Sequence, residues 1–80
     1  MRVNILLFAS VAEAFGNDQV ALELPAPVLV ADVAAALQAA VPTSAALPPL
    51  RFAVNQEFVD DGFPIHEGDE VAVIPPVAGG

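Results

Sequence analysis

The chain has 80 residues, no cysteine and a formal net charge of −8, and 56% of its residues are hydrophobic. This length allows one domain with a modest core, and the lack of cysteine excludes disulfides, zinc–thiolate sites and thiol nucleophiles. Ten carboxylates against two arginines repel phosphate backbones, so we expect partners with basic protein surfaces and no nucleic acid.

The N-terminal segment predicts a β-strand with one consistently apolar face. Apolar side chains occupy every second position from Val3 to Leu7, which is the period of a strand. The opposite face begins with polar residues and ends with Leu6 and Phe8. An apolar outward end of this kind is either part of a second packing layer or a partner-binding patch.

A short helical turn and a second strand are expected next. Ser10 and Glu13 have the spacing of a capping box, in which the serine caps the helix start, and Gly16 is a typical helix end. Apolar positions then alternate from Val20 to Leu24. Two strands this close along the chain are expected to pair antiparallel.

One long helix is predicted over residues 30–41. Asp32 lies in its first turn, where the helix dipole favours a negative charge. Residues 42–50 are expected to connect this helix to the next strand. The apolar residues recur at the spacing of one helix face, and they are Val30, Val33, Ala34, Leu37, Ala40 and Val41.

The C-terminal third predicts a hairpin and a final strand. Residues 51–55 and 57–59 are read as strands around a tight turn at Asn55 and Gln56, and residues 71–74 as the last strand. The resulting β-β-α-β-β order predicts an α+β fold of the ubiquitin-like β-grasp kind. In that fold a mixed sheet has the long helix packed on one face, and the final strand lies beside the first.

Side-chain patterns that usually indicate a catalytic, nucleotide or metal site are missing from the sequence. The glycines before the C-terminal pair are scattered, so no phosphate-binding loop is predicted. His66 is expected to be a solvated turn residue, and the pair Asp60 and Asp61 is more typical of a solvated loop than of a cation site. We therefore expect no metal and no bound cofactor, and no apolar run is long enough to span a membrane.

The remaining chemical feature is the C-terminal segment. Its two prolines favour an extended path, and glycine lacks a Cβ, so the backbone there fits a narrow channel. An ordinary frayed terminus stays open as the alternative. We expect a folded domain over residues 1–76, a flexible tail over 77–80, and the carboxylate of Gly80 as the reactive group. The segment that would enter a partner's site consists of Pro75, Pro76, Val77, Ala78, Gly79 and Gly80.

These residues match a known family. The GDEV motif from Gly68 to Val71, followed by PPVAGG from Pro75 to Gly80, resembles the C-terminal signature of the small subunits of molybdopterin synthase, the MoaD family. Phe8 and Ala9, followed by Glu13 and Gly16, resemble the N-terminal strand and first turn of that family, and residues 53–56 resemble its third strand. The resemblance covers the whole chain.

The resemblance implies a sulfur carrier. An E1-like enzyme would use ATP to adenylate the carboxylate of Gly80, and a sulfur donor protein would convert the adenylate to a thiocarboxylate. The tail would then enter the large synthase subunit, where its sulfur forms the dithiolene of molybdopterin on a pyranopterin precursor. The chain would thus be a co-substrate in a cytoplasmic heterotetramer, with the catalytic side chains on the large subunit.

The resemblance also implies a partner-binding patch on the exposed sheet face. The matching positions in this sequence are Phe8, Phe58 and Ile74. The residues alone leave partial core packing open for each of them. Two other functions stay open as well. The chain is alternatively a sulfur carrier for another pathway, such as thiamine thiazole or an amino acid, or a ubiquitin-like modifier or interaction module.

Overall fold

Residues 1–41 and 49–75 are described by the structure, a computed structural model, and they form a five-stranded sheet, a two-stranded sheet and two helices. The strands are β1 (Arg2–Leu7), β2 (Gln19–Glu23), β3 (Val28–Leu29), β4 (Arg51–Val54), β5 (Glu57–Val59), β6 (Pro64–Ile65) and β7 (Val71–Ile74). The helices are α1 (Ala9–Phe15) and α2 (Val30–Ala40). This architecture confirms the predicted α+β β-grasp fold.

The five-stranded sheet has the order β2-β1-β7-β4-β5. β1 and β7 pair in parallel, whereas β1–β2, β7–β4 and β4–β5 pair antiparallel. The last strand therefore lies inside the sheet beside the first, as predicted. Both strands are central in the sheet, since each has neighbouring strands on two sides.

The core lies between one face of this sheet and the two helices. Val3, Ile5 and Leu7 of β1 are buried in alternation with their neighbours, which confirms the predicted strand period. Ala40 was expected on the apolar face of α2 but is exposed, because the buried stripe ends at Leu37. The core consists of Val3, Ile5, Leu7, Val11, Val28, Val30, Val33, Leu37, Phe52, Val54, Ile65, Val71 and Val73.

The start of α1 differs from the prediction that Ser10 caps it. The N-cap is Phe8, which has extended backbone angles and no side-chain cap bond. Its carbonyl accepts from the N–H groups of Val11 and Ala12 at 3.2 and 3.4 Å. The helix therefore begins directly after β1, and Ser10 already lies within its first turn. Gly16 ends the helix with φ of 70°, in the left-handed region, as predicted.

The N-terminus of α2 is satisfied by a distant loop. The N–H groups of Val30 and Ala31 donate to the carbonyls of Phe63 and Asp61, each at 3.0 Å. The carboxylate of Asp32 accepts from the N–H of Leu29 at 2.8 Å, which confirms its stabilising place in the first turn. This loop continues into β6, which pairs with β3; the sequence did not predict that pairing because each strand has two residues. Neither α1 nor α2 is long and apolar enough to cross a membrane.

Candidate functional site

The sheet face opposite the core carries mainly apolar side chains that are not covered by α1 or α2. We call it the open face. Cross-strand pairs set its rows: Leu6 pairs with Ala72, Ala72 with Ala53, and Ala53 with Phe58. The central residues of the open face are Leu6, Phe8, Arg51, Ala53, Phe58, Ala72 and Ile74.

The structure brings the three predicted patch residues onto this one face. Phe8 is 47% exposed, Phe58 is 56% exposed and Ile74 is partly buried. Neither phenylalanine belongs to the core, so core packing does not explain them. The register places Phe8 and Ile74 one step beyond the Leu7–Val73 pair, near the sheet end from which the chain leaves β7. Their role in binding a partner stays a prediction.

The backbone after Phe8 turns sharply. Ala9 has a φ of 52°, in the left-handed region that costs an alanine about 1 kcal/mol. The strand therefore stops at this point, and α1 crosses to the core side, where Val11 is fully buried. Phe8, the residue directly after β1, is therefore the last side chain of this segment on the open face.

Arg51 completes the open face, and the sequence did not single it out. It pairs with Ile74, and its guanidinium carbon lies 4.2 Å from the centroid of the Phe58 ring. Phe58 is its diagonal neighbour on β5, since Phe58 pairs with Ala53. The sequence did contain an indication of its place. In a strand, Arg51 and Ala53 point to the same face and the buried Phe52 points to the other.

The candidate reactive segment begins at the end of β7. Pro75 is the last described residue of the chain and is partly buried. Pro76, Val77, Ala78, Gly79 and Gly80 lie outside the described residues. The predicted tail insertion, the reactive carboxylate and the domain boundary after residue 76 therefore stay predictions.

A hydrogen-bonded cluster around Asn55 fixes the loop that leads into β7; we call it the Asn55 clamp. The side chain of Asn55 donates to the Asp69 carboxylate at 3.1 Å and accepts from the Glu70 N–H at 3.0 Å. Its own N–H donates to the Glu70 carbonyl at 2.8 Å. The GDEV motif thus has a structural meaning, because Gly68, with φ of 90°, turns the chain so that Asp69 and Glu70 reach Asn55.

The turn that presents Asn55 matches the tight turn predicted from the sequence. Asn55 and Gln56 have φ values of 52° and 71°, and two successive positive φ values are typical of a type I′ hairpin. Asparagine tolerates this region better than most residues. The turn therefore both closes the β4–β5 hairpin and supplies the clamp side chain.

Within the clamp, the carboxyl group of Asp69 has a perturbed proton affinity. The backbone N–H of His66 donates to its carboxylate at 2.8 Å and the side chain of Asn55 at 3.1 Å, and these bonds hold the pKa of Asp69 below its usual 3.8. Partial burial opposes this shift but is outweighed. His66 itself is a solvated turn residue, as predicted, with 77% of its side chain exposed.

The predicted acidic pair in the loop after β5 serves the local backbone. A carboxylate oxygen of Asp60 accepts from the Gly62 N–H at 3.2 Å, and the Asp61 carbonyl bonds to α2. Within residues 1–41 and 49–75, no group of three His, Asp or Glu side chains is placed to hold a metal ion. Cation chemistry at this loop therefore has no support from the described residues.

Solved structures with this fold include ubiquitin-like proteins of two kinds. The crystal structure of SAMP1, a small archaeal modifier protein of Haloferax volcanii, superposes with a TM-score of 0.80 at 28% identity and covers 100% of both chains. A complex of subunits 1 and 2 of molybdopterin-converting factor from Helicobacter pylori gives a TM-score of 0.68 at 22% identity, again over 100% of both chains. The second likeness shows the fold alone.

Relatives in sequence are more specific. The chain is 39% identical to the molybdopterin synthase sulfur carrier subunit of Dictyostelium discoideum, over 95% of this chain and 93% of that one. It is 36% identical to the corresponding subunit of Chlamydomonas reinhardtii, over 100% of both chains. The model of the ThiS family matches residues 5–80. The chain therefore belongs to the ThiS family, and the likeness to the MoaD proteins within it is confirmed.

Proposed function

We propose that this protein is the sulfur carrier subunit of molybdopterin synthase and acts in molybdenum cofactor biosynthesis. The observation that carries the proposal is the full-length match to sulfur carrier subunits of that enzyme. The GDEV motif adds support, because its residues form the turn and the clamp that lead into β7. The family membership accounts for the PPVAGG sequence that follows.

The proposed chemistry takes place on the carboxylate of Gly80. A carboxylate is a poor electrophile, and an E1-like enzyme would activate it with ATP as an acyl-adenylate. A persulfide of the donor protein would then displace AMP to form an acyl disulfide, and a thiol of the donor would cleave its S–S bond, which leaves a thiocarboxylate on Gly80 and a disulfide on the donor. The sulfur of the thiocarboxylate is a good nucleophile. Since the chain has no cysteine, this sulfur must come from outside. The chain acts as a co-substrate, and the catalytic side chains belong to the large subunit.

The fold suits the delivery of a terminal group. β7 has fully buried Val71 and Val73 and is paired on both sides, so the strand before the tail is firmly held. The five residues after Pro75 span at most about 18 Å when extended. A partner docked on the open face therefore has its reactive centre within that distance of the end of β7.

The proposed partner on the open face is the large subunit. The Helicobacter pylori complex of subunits 1 and 2 supports a pairing of this kind. Phe8, Phe58 and Ile74 would form the apolar centre of the contact, since exposed aromatic residues are frequent at the centres of interfaces. We propose a heterotetramer of two small and two large subunits in the cytoplasm, where the lack of cysteine is compatible with a reducing environment.

Reconstitution tests the proposal directly. Thiocarboxylated protein, a large synthase subunit and the pyranopterin precursor should together yield molybdopterin. A characterised small subunit serves as the parallel control. If the control forms product and this protein does not, the proposal is wrong, and sulfur carriers of other pathways become the better reading.

Deletion of Gly80 separates the reactive end from the fold. The variant should lose sulfur transfer completely, because the activated carboxylate would no longer lie at the end of a Gly-Gly pair. Its thermal unfolding should match that of the wild type, since the β7 core residues remain in place. A variant that fails to fold would show that the tail is structural, and retained transfer would show that Gly80 is not the reacting residue.

The likeness to SAMP1 favours a second candidate, a protein modifier. A modifier would be conjugated through its C-terminal glycine to amines of other proteins. Mass spectrometry of the protein isolated from its native cells distinguishes the two. Exchange of one oxygen for sulfur at the C-terminus supports the sulfur carrier, whereas Gly-Gly adducts on lysines of other proteins support the modifier.

A further inference from the structure

Both arginines of the sequence lie on the open face, at opposite ends. The chain has two arginines and no lysine against ten carboxylates. Arg2 starts β1 opposite Glu23 of β2. Arg51 starts β4 opposite Ile74, at the end of the sheet where Phe8 and the exit from β7 also lie. One arginine is therefore surrounded by the proposed docking residues and the other is remote from them.

Arg51 has no ion-pair partner in the described part of the chain. It lines an open groove of about 480 Å³ together with Glu57, Phe58, Val59, Asp60 and Phe63. Although two carboxylates line the same groove, none lies within 4.0 Å of its guanidinium among residues 1–41 and 49–75. Its described contact is the Phe58 ring at 4.2 Å.

The contact with Phe58 positions the guanidinium without using its hydrogen-bond donors. A cation over an aromatic ring is attracted to the ring face, and at an exposed site this is worth about 0.5–1 kcal/mol. The N–H donors lie in the guanidinium plane and stay available for a planar acceptor such as a carboxylate. Arg51 is thus held in place, while its N–H donors meet no protein acceptor among residues 1–41 and 49–75.

Docking on the open face would remove Arg51 from water. Ile74 lies directly beside it and Phe58 beneath it, so a partner that covers both also covers the guanidinium. A charge that is buried without a partner costs several kcal/mol. A protein that offers only apolar surface at this position is therefore rejected.

We infer that Arg51 is a specificity-determining residue of the open face and binds an aspartate or glutamate of the large subunit. This inference rests on the proposed function. The partner surface it requires is apolar opposite Phe8 and Ile74, with one carboxylate opposite Arg51. The acidic side chains of this chain attract basic protein surfaces over distance. Among those surfaces, Arg51 selects one that offers a carboxylate opposite its guanidinium.

The matched variants Arg51→Ala and Arg2→Ala test this role. Each removes one positive charge from the same sheet face, so the change in net charge is equal. We expect Arg51→Ala to raise the Kd for the large subunit about tenfold, mainly through faster dissociation, because a close charge pair is lost. Arg2→Ala should change the Kd less than about twofold, since a distant charge acts mainly on association. In thermal unfolding, Arg2→Ala should match the wild type, whereas Arg51→Ala should lose at most the small stabilisation that its contact with Phe58 contributes.

Two further measurements separate a local ion pair from general electrostatics. The effect of Arg51→Ala should persist at high salt, because a covered pair is screened less than exposed charges. Arg51→Glu should abolish binding, and one Asp→Lys or Glu→Lys variant of the large subunit should restore it.

Equal effects of the two alanine variants, or rescue by no charge-reversed large subunit, would overturn the inference while leaving the proposed function intact. Failure of the wild-type protein to bind the large subunit would overturn the proposed function and, with it, the role of Arg51. Sulfur transfer from each thiocarboxylated variant at limiting large subunit provides the second readout. It should fall for Arg51→Ala in proportion to the weaker binding and stay at the wild-type rate for Arg2→Ala.

Discussion

Neighbouring residues of β1 and β7 lie in opposite environments. Leu7 is 3% exposed while the next residue, Phe8, is 47% exposed, and Val73 is fully buried while Ile74 is only partly so. Both faces carry apolar side chains in the central strands, but the open face also carries polar residues such as Arg2, Asn4 and Arg51. The faces also differ in their cover, because the helices pack on one face and leave the other accessible.

This difference separates stability from recognition along the same strands. Full burial of an aliphatic or aromatic side chain stabilises a fold by about 1.5–3 kcal/mol, and the core face already provides this for both central strands. Phe8 and Phe58 stay about half exposed and contribute little in the free protein. Their apolar surface becomes useful when a partner covers it. Substitutions on the two faces should therefore have effects that do not overlap.

The largest expected effect on stability comes from the core side. Leu37 of α2 is fully buried, and Leu37→Ala should lower the free energy of unfolding by about 3 kcal/mol, through lost burial and a cavity. Leu29→Ala removes the same atoms from a side chain that is 40% exposed and should cost less than about 1 kcal/mol. Urea unfolding measures both. Equal losses would mean that α2 does not seal the core face.

The next effect should appear in binding alone. Phe8→Ala should raise the Kd for the large subunit about tenfold, because a truncated aromatic residue at an interface centre commonly costs more than 1 kcal/mol. Its free energy of unfolding should change by less than about 0.5 kcal/mol, as for exposed positions in general. Leu29→Ala, exposed but outside the open face, is the matched control for binding. A loss of stability like that of Leu37→Ala would place Phe8 in the core instead.

The sequence was a reliable guide wherever burial imposes a period. Alternation predicted β1 and β7, and the three- and four-residue spacing predicted α2, because the core selects apolar residues at those intervals. It also predicted that Phe8 points outward. The prediction for Ser10 was wrong because the capping-box spacing does not reveal that the helix starts directly after Phe8.

Features that depend on register could not be predicted from the sequence. The two-residue period indicates the face on which Arg51 lies, but its position beside Ile74 follows from the register of β4 on β7, and Asn55 meets Asp69 across 14 positions of the chain. Neither of these two contacts leaves a local pattern. The short β3–β6 pair was not predicted from the sequence either, since two residues are too few to show a period.

The Asn55 clamp helps to keep the core face and the open face distinct, because the register of β4 on β7 decides which side chains lie on each face. A slip of one residue between β4 and β7 would exchange the two faces. The hydrogen bonds of Asn55 to Asp69 and Glu70 oppose such a slip.

Two glycine variants of the turn separate the clamp from backbone strain. Asn55→Gly keeps a residue that tolerates φ of 52° but removes two side-chain hydrogen bonds, and should lower stability by about 1 kcal/mol. Gln56→Gly relieves a left-handed φ of 71° and should raise stability by up to about 1 kcal/mol. The unfolding temperature should therefore fall for Asn55→Gly and rise for Gln56→Gly. If both variants were more stable than the wild type, relief of backbone strain in the turn would outweigh the hydrogen bonds of the clamp.

The smallest expected effect is a pH dependence at Asp69. Because hydrogen bonds from His66 and Asn55 hold its folded pKa below the unfolded value, its contribution is complete above that unfolded value, near pH 4, and is lost as the pH falls through the folded pKa. Asp69→Asn keeps the shape and should lower stability by about 0.5 kcal/mol at neutral pH.

The difference between this variant and the wild type should shrink on acidification, because the Asp69 carboxyl group of the wild type then becomes neutral, as the amide of the variant is at every pH. Asp18→Asn, outside the clamp, controls for the general loss of a negative charge, and urea unfolding at several pH values provides the comparison. A difference for Asp69→Asn that stays constant with pH would mean that the ionised carboxylate does not hold the loop before β7. The packing of Val71 and Val73 would then suffice to keep the two faces distinct.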